Sequence, residues 1–387
     1  MAAYFQMGHD TENLIGEKGL ELFKGIILSP LNRNPDELHR YIKLFRGKGT
    51  YDIVFDPQLY FPRSKRGDLK SHPYYPKDFE TADLSDISWW SSVIDKLVKY
   101  VNVLEIDTIC SPVFLTRSWR EDYYLMSVKI KDLLNSQIKK INPQKKCFLT
   151  IVIDVKDLTD KEKILKTASI VSSTESDGYY LVFLNDINPR KETSKDDLLF
   201  GMMSFVRELK ATGKPIIVSH CSSDLLLYKY AGADHCATGK FFNLRRFTES
   251  RFEDSSSGGG QLPYWFEHGL IAFLREPDLL RILENRLDII NIDSSNNCWS
   301  KIILENIKST KHNPWIKYGW RHYLASFSLM EEELTKNPLL VEDWILRAQE
   351  NWNQIVATRS YPEEPDNNGA WLAIWKQTID NYKKNTI

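Results

Sequence analysis

The feature that most constrains this chain is an alternation of short, continuous apolar and β-branched runs with amphipathic stretches of helix length. Strands buried on both faces need such continuous runs, and they belong to parallel sheets covered by helices. Eight runs fit: Lys24–Ser29, Asp52–Phe55, Val103–Thr108, Cys147–Asp154, Tyr179–Leu184, Pro215–His220, Ala233–Ala237 and Leu270–Leu274. Helices are expected between them at Pro35–Phe45, Ser85–Tyr100, Trp119–Ile141, Thr159–Ser172, Ser194–Ala211 and Ser222–Tyr230. The first has Asn34 as N-cap and Pro35 at its first position. The fifth is stopped by Gly213, and Pro215 opens the next strand. Closing eight strands is the economical solution, so the expected fold is α/β, a (β/α)8 barrel over residues 1–277, with an open doubly wound sheet as the rival.

Beyond Pro277 the pattern is purely helical: Asp278–Ile290, Asn297–Ile307, Ile316–Lys336, Val341–Val356 and Ala370–Lys384. This reads as a helical C-terminal region, 278–387, packed on the barrel. Seven of the eleven tryptophans lie there, and spacings such as Trp371 to Trp375 suit core packing more than ligand binding.

Composition narrows the classes of function. A net charge of −1 gives no global pull toward nucleic acid or an anionic membrane. No window approaches a membrane span of about 18 apolar residues, and no secretory pattern opens the chain, so a cytoplasmic location is expected. The five cysteines are scattered without a CxxC pair, which fits reduced thiols and argues against zinc. No metal and no cofactor are expected, and self-association into a homo-oligomer is left open.

Barrel chemistry is built where strands end, on the loops that follow them. Two long loops, Asp56–Asp83 and Phe241–Gly269, follow predicted strands two and seven; the second holds the Gly258–Gly260 run. Polar residues at strand ends are the candidates: Asp56, Asp154, Asn185 and His220, with Asp234 inside predicted strand seven and Thr238 and Lys240 just beyond it. An ionised carboxylate at an apolar mouth needs a partner or a role. Asp154 is the sharpest case, with a helix-capping role as its alternative; for Asp56, before Pro57, a turn is the alternative. His220 has the reference pKa of a general acid or base, against a hydrogen-bonded rim histidine. Thr238–Lys240 with Arg245 and Arg246 suits the phosphate-binding end of many barrels.

The stretch KPIIVSHCSSDLLLYKYAGADHCATGK, Lys214 to Lys240, resembles the late-barrel segment of tRNA-guanine transglycosylases. YDIVFDPQLY, Tyr51 to Tyr60, is similar to that family's second strand, and IVIDV around Asp154 to its fourth. The family's C-x-C-x-x-C…H zinc site and its D-S-G-G-x-Q motif have no counterpart, and the strict register puts Ala237 where the family has its nucleophile. The chain therefore looks more like the zinc-free, transglycosylase-like proteins of CBASS-type bacterial antiphage operons. The resemblance implies a guanine or 7-deazaguanine base as partner, and a nucleic-acid or protein acceptor. It implies Asp154 reading the base, Asp234 at the anomeric carbon, and His220 as the third catalytic candidate. Tyr60 would stack on the base, and Asp56, Asn185, Thr238, Lys240 and Arg245 would complete the binding set. Two alternatives stand beside it: a catalytically degenerate barrel that binds proteins, and a phosphate-binding barrel lyase, for which a strand-borne lysine is missing.

Overall fold

A computed structural model describes residues 2–64, 67–252, 262–285, 289, 297–309 and 315–385. Its centre is a closed barrel of eight parallel strands in sequential order. They are β1 (Ala3–Gln6), β2 (Phe23–Leu28), β3 (Asp52–Phe55), β4 (Thr108–Cys110), β5 (Lys146–Asp154), β6 (Gly178–Leu184), β7 (Ile216–Val218) and β8 (His235–Thr238). The ring closes where Tyr4 pairs with Ala237 and Phe5 with Thr238. All seven residues of β6 and all but the two end residues of β5 are buried, which is why these runs lack polar alternation.

Helices between successive strands form the outer ring: α1 (Pro35–Lys48), α2 (Ile87–Asn102), α3 (Glu121–Ile141), α4 (Lys161–Ser172), α5 (Asp196–Lys210) and α6 (Leu225–Tyr230). The α1 start is as the sequence requires, with a capping box between Asn34 and Glu37 and Pro35 inside it. An antiparallel pair, β9 (Trp265–Glu267) and β10 (Ala272–Leu274), follows the barrel. The remaining helices are α7 (Glu276–Glu284), α8 (Ser300–Lys308), α9 (Ile316–Lys336), α10 (Leu340–Ala357) and α11 (Ala370–Lys384).

The expected fold class is therefore the observed one, but the membership of the barrel differs. The first strand is Ala3–Gln6, a run of four residues that the sequence reading passed over. Leu270–Leu274, expected as the eighth strand, instead supplies β10 of the hairpin. Val103–Thr108 is mostly the turn after α2, and the strand there begins at Thr108. Tyr4 points into the barrel across Gly25, where any Cβ would lie 2.1 Å from its ring, so a glycine in β2 makes room for the first strand.

α9 covers β1 and β8, the seam at which the barrel closes. There Lys229 of α6 donates to Glu331 of α9 at 3.1 Å and to the Asp234 carbonyl at 2.9 Å in the interior, and to the half-buried Thr335 at 2.6 Å. α11 packs on α5, and Trp375 donates to the Thr193 carbonyl at 2.8 Å. Trp315, Trp344, Trp352, Trp371 and Trp375 are buried, as the spacing suggested. No described helix is long and apolar enough to cross a membrane.

Candidate functional site

Residues Gln6, Asp56 and Tyr180 face the lumen where β1 and β3 end and β6 runs past them. Tyr180 donates to Gln6 Oε1 at 3.3 Å, and Gln6 Nε2 is buried with no hydrogen-bond partner among the described residues. Asp56 follows β3 directly. Its carboxylate accepts from the Gln58 backbone N–H at 3.0 Å and from the Tyr60 hydroxyl at 2.9 Å, a turn that curls the loop back over the mouth. Gln58 sits at φ 56° in that turn and accepts from the Ser29 hydroxyl and the Leu31 N–H.

Burial pushes the Asp56 carboxyl up to about 6, against the pull of its hydrogen bonds and of nearby Arg251. The charged form is disfavoured because burial strips its water, and that cost outweighs these pulls. A carboxyl tuned this way exchanges its proton near neutral pH.

His220 follows β7 in the left-handed region, φ 56°, a strained conformation for a histidine. Its Nε2 lies 3.3 Å from Arg251 Nη1, and its Nδ1 lies 3.0 Å from Ser219 Oγ. A guanidinium only donates, so Nε2 accepts and the proton sits on Nδ1. Burial, helped by Arg251, holds the ring well below its ordinary pKa, consistent with a neutral imidazole. The segment after β8 roofs this centre. Phe247 packs edge-on against both Tyr60 and His220, and Phe252 against Tyr60 and Phe61.

Beside the roof opens a cavity of about 620 Å³, within the size range of small-molecule sites. Its lining includes His9, Arg190, Lys240, Arg245 and Arg251, and no carboxylate among the described residues. Arg251 is its link to the mouth, since the same guanidinium touches His220.

The structure sorts the sequence candidates. Asp56, Tyr60 and His220 meet at the mouth, and Lys240 and Arg245 line the cavity. Asn185 is also at the mouth, where its N–H binds the Phe247 carbonyl at 3.0 Å and its side chain caps the Ile187 N–H. Asp154 ends β5 at the rim, half-buried, and accepts from the Lys156 N–H at 2.9 Å; the capping alternative describes its present contact.

Two candidates are corrected. Asp234 precedes β8 and so lies at the opposite, N-terminal end of the barrel, where it accepts from Lys210 at 2.5 Å and from the Ile216 N–H at 3.0 Å. No single site can hold Asp154 and Asp234 together. Thr238 points outward, bonding Tyr323 of α9 at 2.8 Å and the Cys221 carbonyl at 2.7 Å. Parity explains this: Ala237, paired with inward-facing Tyr4, faces the lumen, so its neighbour cannot. The Gly258–Gly260 run lies outside the described residues. Gln6, Tyr180, Phe247 and Arg251 were missed by sequence reasoning; the lone Gln6 after an apolar triplet was the available signal.

No protein-family model and no curated protein matches the chain. Among solved structures it is similar to a GH18 chitinase from Pseudoalteromonas aurantia, at 10% identity over 63% of this chain and 95% of that one, with a TM-score of 0.39. A glucosidase from Croceicoccus marinus matches at 10% identity over 62% of this chain and 59% of that one, TM-score 0.36. The carboxyl transferase domain of Rhizobium etli pyruvate carboxylase matches at 10% identity over 81% and 41%, TM-score 0.34. Likenesses this distant carry no argument about chemistry, and the fold rests on the strand order itself.

Proposed function

We propose that the chain is an enzyme whose reaction takes place at the barrel mouth, with Asp56 as the group that takes up and returns a proton. The observation that carries this reading is a buried carboxyl at the end of a barrel strand, poised at about 6 and held by Tyr60, with no cation in ion-pair contact among the described residues. Neutral His220 beside it is a base only once Arg251 leaves its Nε2, so ligand binding near Arg251 would govern both groups.

The ligand proposed is a guanine or 7-deazaguanine base, transferred to a nucleic-acid or protein acceptor in an antiphage pathway. Its support is the resemblance of Tyr51–Tyr60 and Lys214–Lys240 to transglycosylases, together with the amide and phenol donors of Gln6 and Tyr180 around Asp56. Base exchange develops positive charge at the anomeric carbon and calls for a carboxylate there. With Asp234 at the far end, that carboxylate is Asp56 in this reading, and Asp154 at the rim remains the candidate for the base edge.

Calorimetric titration of guanine and 7-deazaguanine into wild type, Asp56→Asn and Asp154→Asn tests it, with melting curves to confirm folding. Saturable binding, weakened by about 1.5–3 kcal/mol in at least one variant, is the expected result. Absence of binding to wild type overturns the base reading. Binding untouched by both variants removes Asp56 and Asp154 from the site.

A further inference from the structure

We infer that the cavity after β8 is a site for a phosphate-type anion, because its cations are backed by aromatic rings instead of carboxylates. The Lys240 ammonium lies 4.0 Å from the centre of the Trp320 ring and 4.8 Å from that of Phe241. The Arg245 guanidinium lies 3.5 Å above Tyr323 and 4.6 Å from Phe242. Arg190 stands 5.9 Å from both Phe242 and Tyr264.

A ring face holds a cation in place through its quadrupole but carries no net charge. The positive field is therefore left for a ligand to neutralise. Elsewhere in the fold the comparable cations are paired with carboxylates: Arg33 with Glu12, Arg46 with Asp107, Lys229 with Glu331, and Arg246 near Glu192 and Asp224. Among the described residues, Lys240, Arg245 and Arg190 form no ion pair. Among those residues the hydrogen bonds of Lys240 and Arg245 go only to main-chain carbonyls, those of Asp10, Gly239 and Lys240. Keeping a buried guanidinium this way is costly unless an anion joins it, and burial pulls Arg245 down to about 10.

The three cations come from two separate loops. Arg190 follows β6, Lys240 and Arg245 follow β8, and the ring that positions Lys240 belongs to α9. Convergence from separate parts of the chain on one cavity is the mark of a built site rather than a solvated charge run. A dianion with several acceptor oxygens satisfies several donors at once, as a single carboxylate does less well. The chemical class is thus a phosphate ester or pyrophosphate, and the inference stands whether or not the mouth handles a purine.

The test titrates pyrophosphate and ribose 5-phosphate into the full chain by calorimetry, at low and at moderate salt. Variants are Lys240→Gln, Arg190→Gln, Trp320→Leu and, as a control for diffuse charge, Lys301→Gln. Saturable binding is expected for at least one probe. It should weaken about tenfold in Lys240→Gln and in Arg190→Gln, the scale of one charge-assisted contact. Trp320→Leu should weaken it too, although no charge is lost, whereas Lys301→Gln should not. Ribose 5-phosphate binding more tightly than pyrophosphate identifies a phosphate ester, and the reverse identifies a pyrophosphate. No saturable heat with either probe overturns the inference, as does equal weakening by Lys301→Gln. Guanine titrated into the same variants separates the two proposals: Arg190→Gln should spare guanine binding, which at least one of Asp56→Asn and Asp154→Asn weakens.

Discussion

Replacing Asp56 by Asn should make the protein more stable above neutral pH while removing the chemistry proposed for it. The carboxyl stands at about 6 in the fold against an ordinary 3.8, so folding disfavours its ionised form. The sign follows directly. A group whose pKa is raised by folding contributes its stability fully below the unfolded value, and that contribution is lost as pH rises through the folded value. The window is therefore about pH 4 to about pH 6. At about 1.4 kcal/mol per unit, the ionised carboxylate costs the fold up to about 3 kcal/mol above that window. Asn has nearly the same shape, keeps an acceptor for the Gln58 N–H, and cannot ionise. Its amide donates toward Tyr60, which must then accept, so the realised gain should fall below the full amount. Equilibrium denaturation of wild type and variant at about pH 4 and pH 8 reads the difference. The expected result is that Asp56→Asn gains on wild type between the two by about 1–3 kcal/mol. If the variant instead loses ground as pH rises, the carboxylate is stabilised in the fold, and the poised-acid reasoning fails.

Two further outcomes concern the scaffold. Lys229→Met should destabilise by about 3–5 kcal/mol in chemical denaturation, because it strands the buried Glu331 carboxylate, and Glu331→Leu in the same chain should recover much of that loss; a double variant as unstable as the single would refute the pairing. Glu192 lies mostly buried beside Arg246 and Asp224, and burial lifts it from 4.5 to about 7, so its contribution to stability should fall as pH rises from about 4.5 to about 7; Glu192→Gln should flatten that part of the pH profile, which matched denaturation curves would detect.

What the sequence made legible followed from burial. β5 and β6 are so long and so uniformly apolar that nothing but a buried parallel strand suits them. β7 and β8 were read from short apolar runs, but β1 has four residues and carries no period of its own. It is a strand because its neighbours hold it, as Tyr4 is held over Gly25, and that information is not local. Leu270–Leu274 shows the converse: the run is apolar and short, but the turn before it returns the chain on Trp265–Glu267, and pairing decided its fate. The site was legible where a residue ends a strand, as Asp56 and His220 do. Asp234 misled because β8 has only four residues and begins just after it, so a start placed two residues early put it inside the strand, and Arg251 was invisible because it reaches the mouth from a roof with no regular period.

The seam between β1 and β8 has a consequence for how the chain acquires its shape. Residues 3–6 pair with β2 on one side, but their other edge must wait for residues 235–238, and Ile316–Lys336 covers the joint. Pairings that span most of a chain form late, since a long loop must close before any contact rewards it. On the ribosome, an open sheet with two unpaired edges would persist until residue 238 has emerged, and the apolar faces that α9 covers would stay bare until well after residue 277. Such edges invite pairing with other chains. A fragment ending at residue 277 should therefore be prone to aggregate, and the helices beyond it serve as the closing step of the barrel.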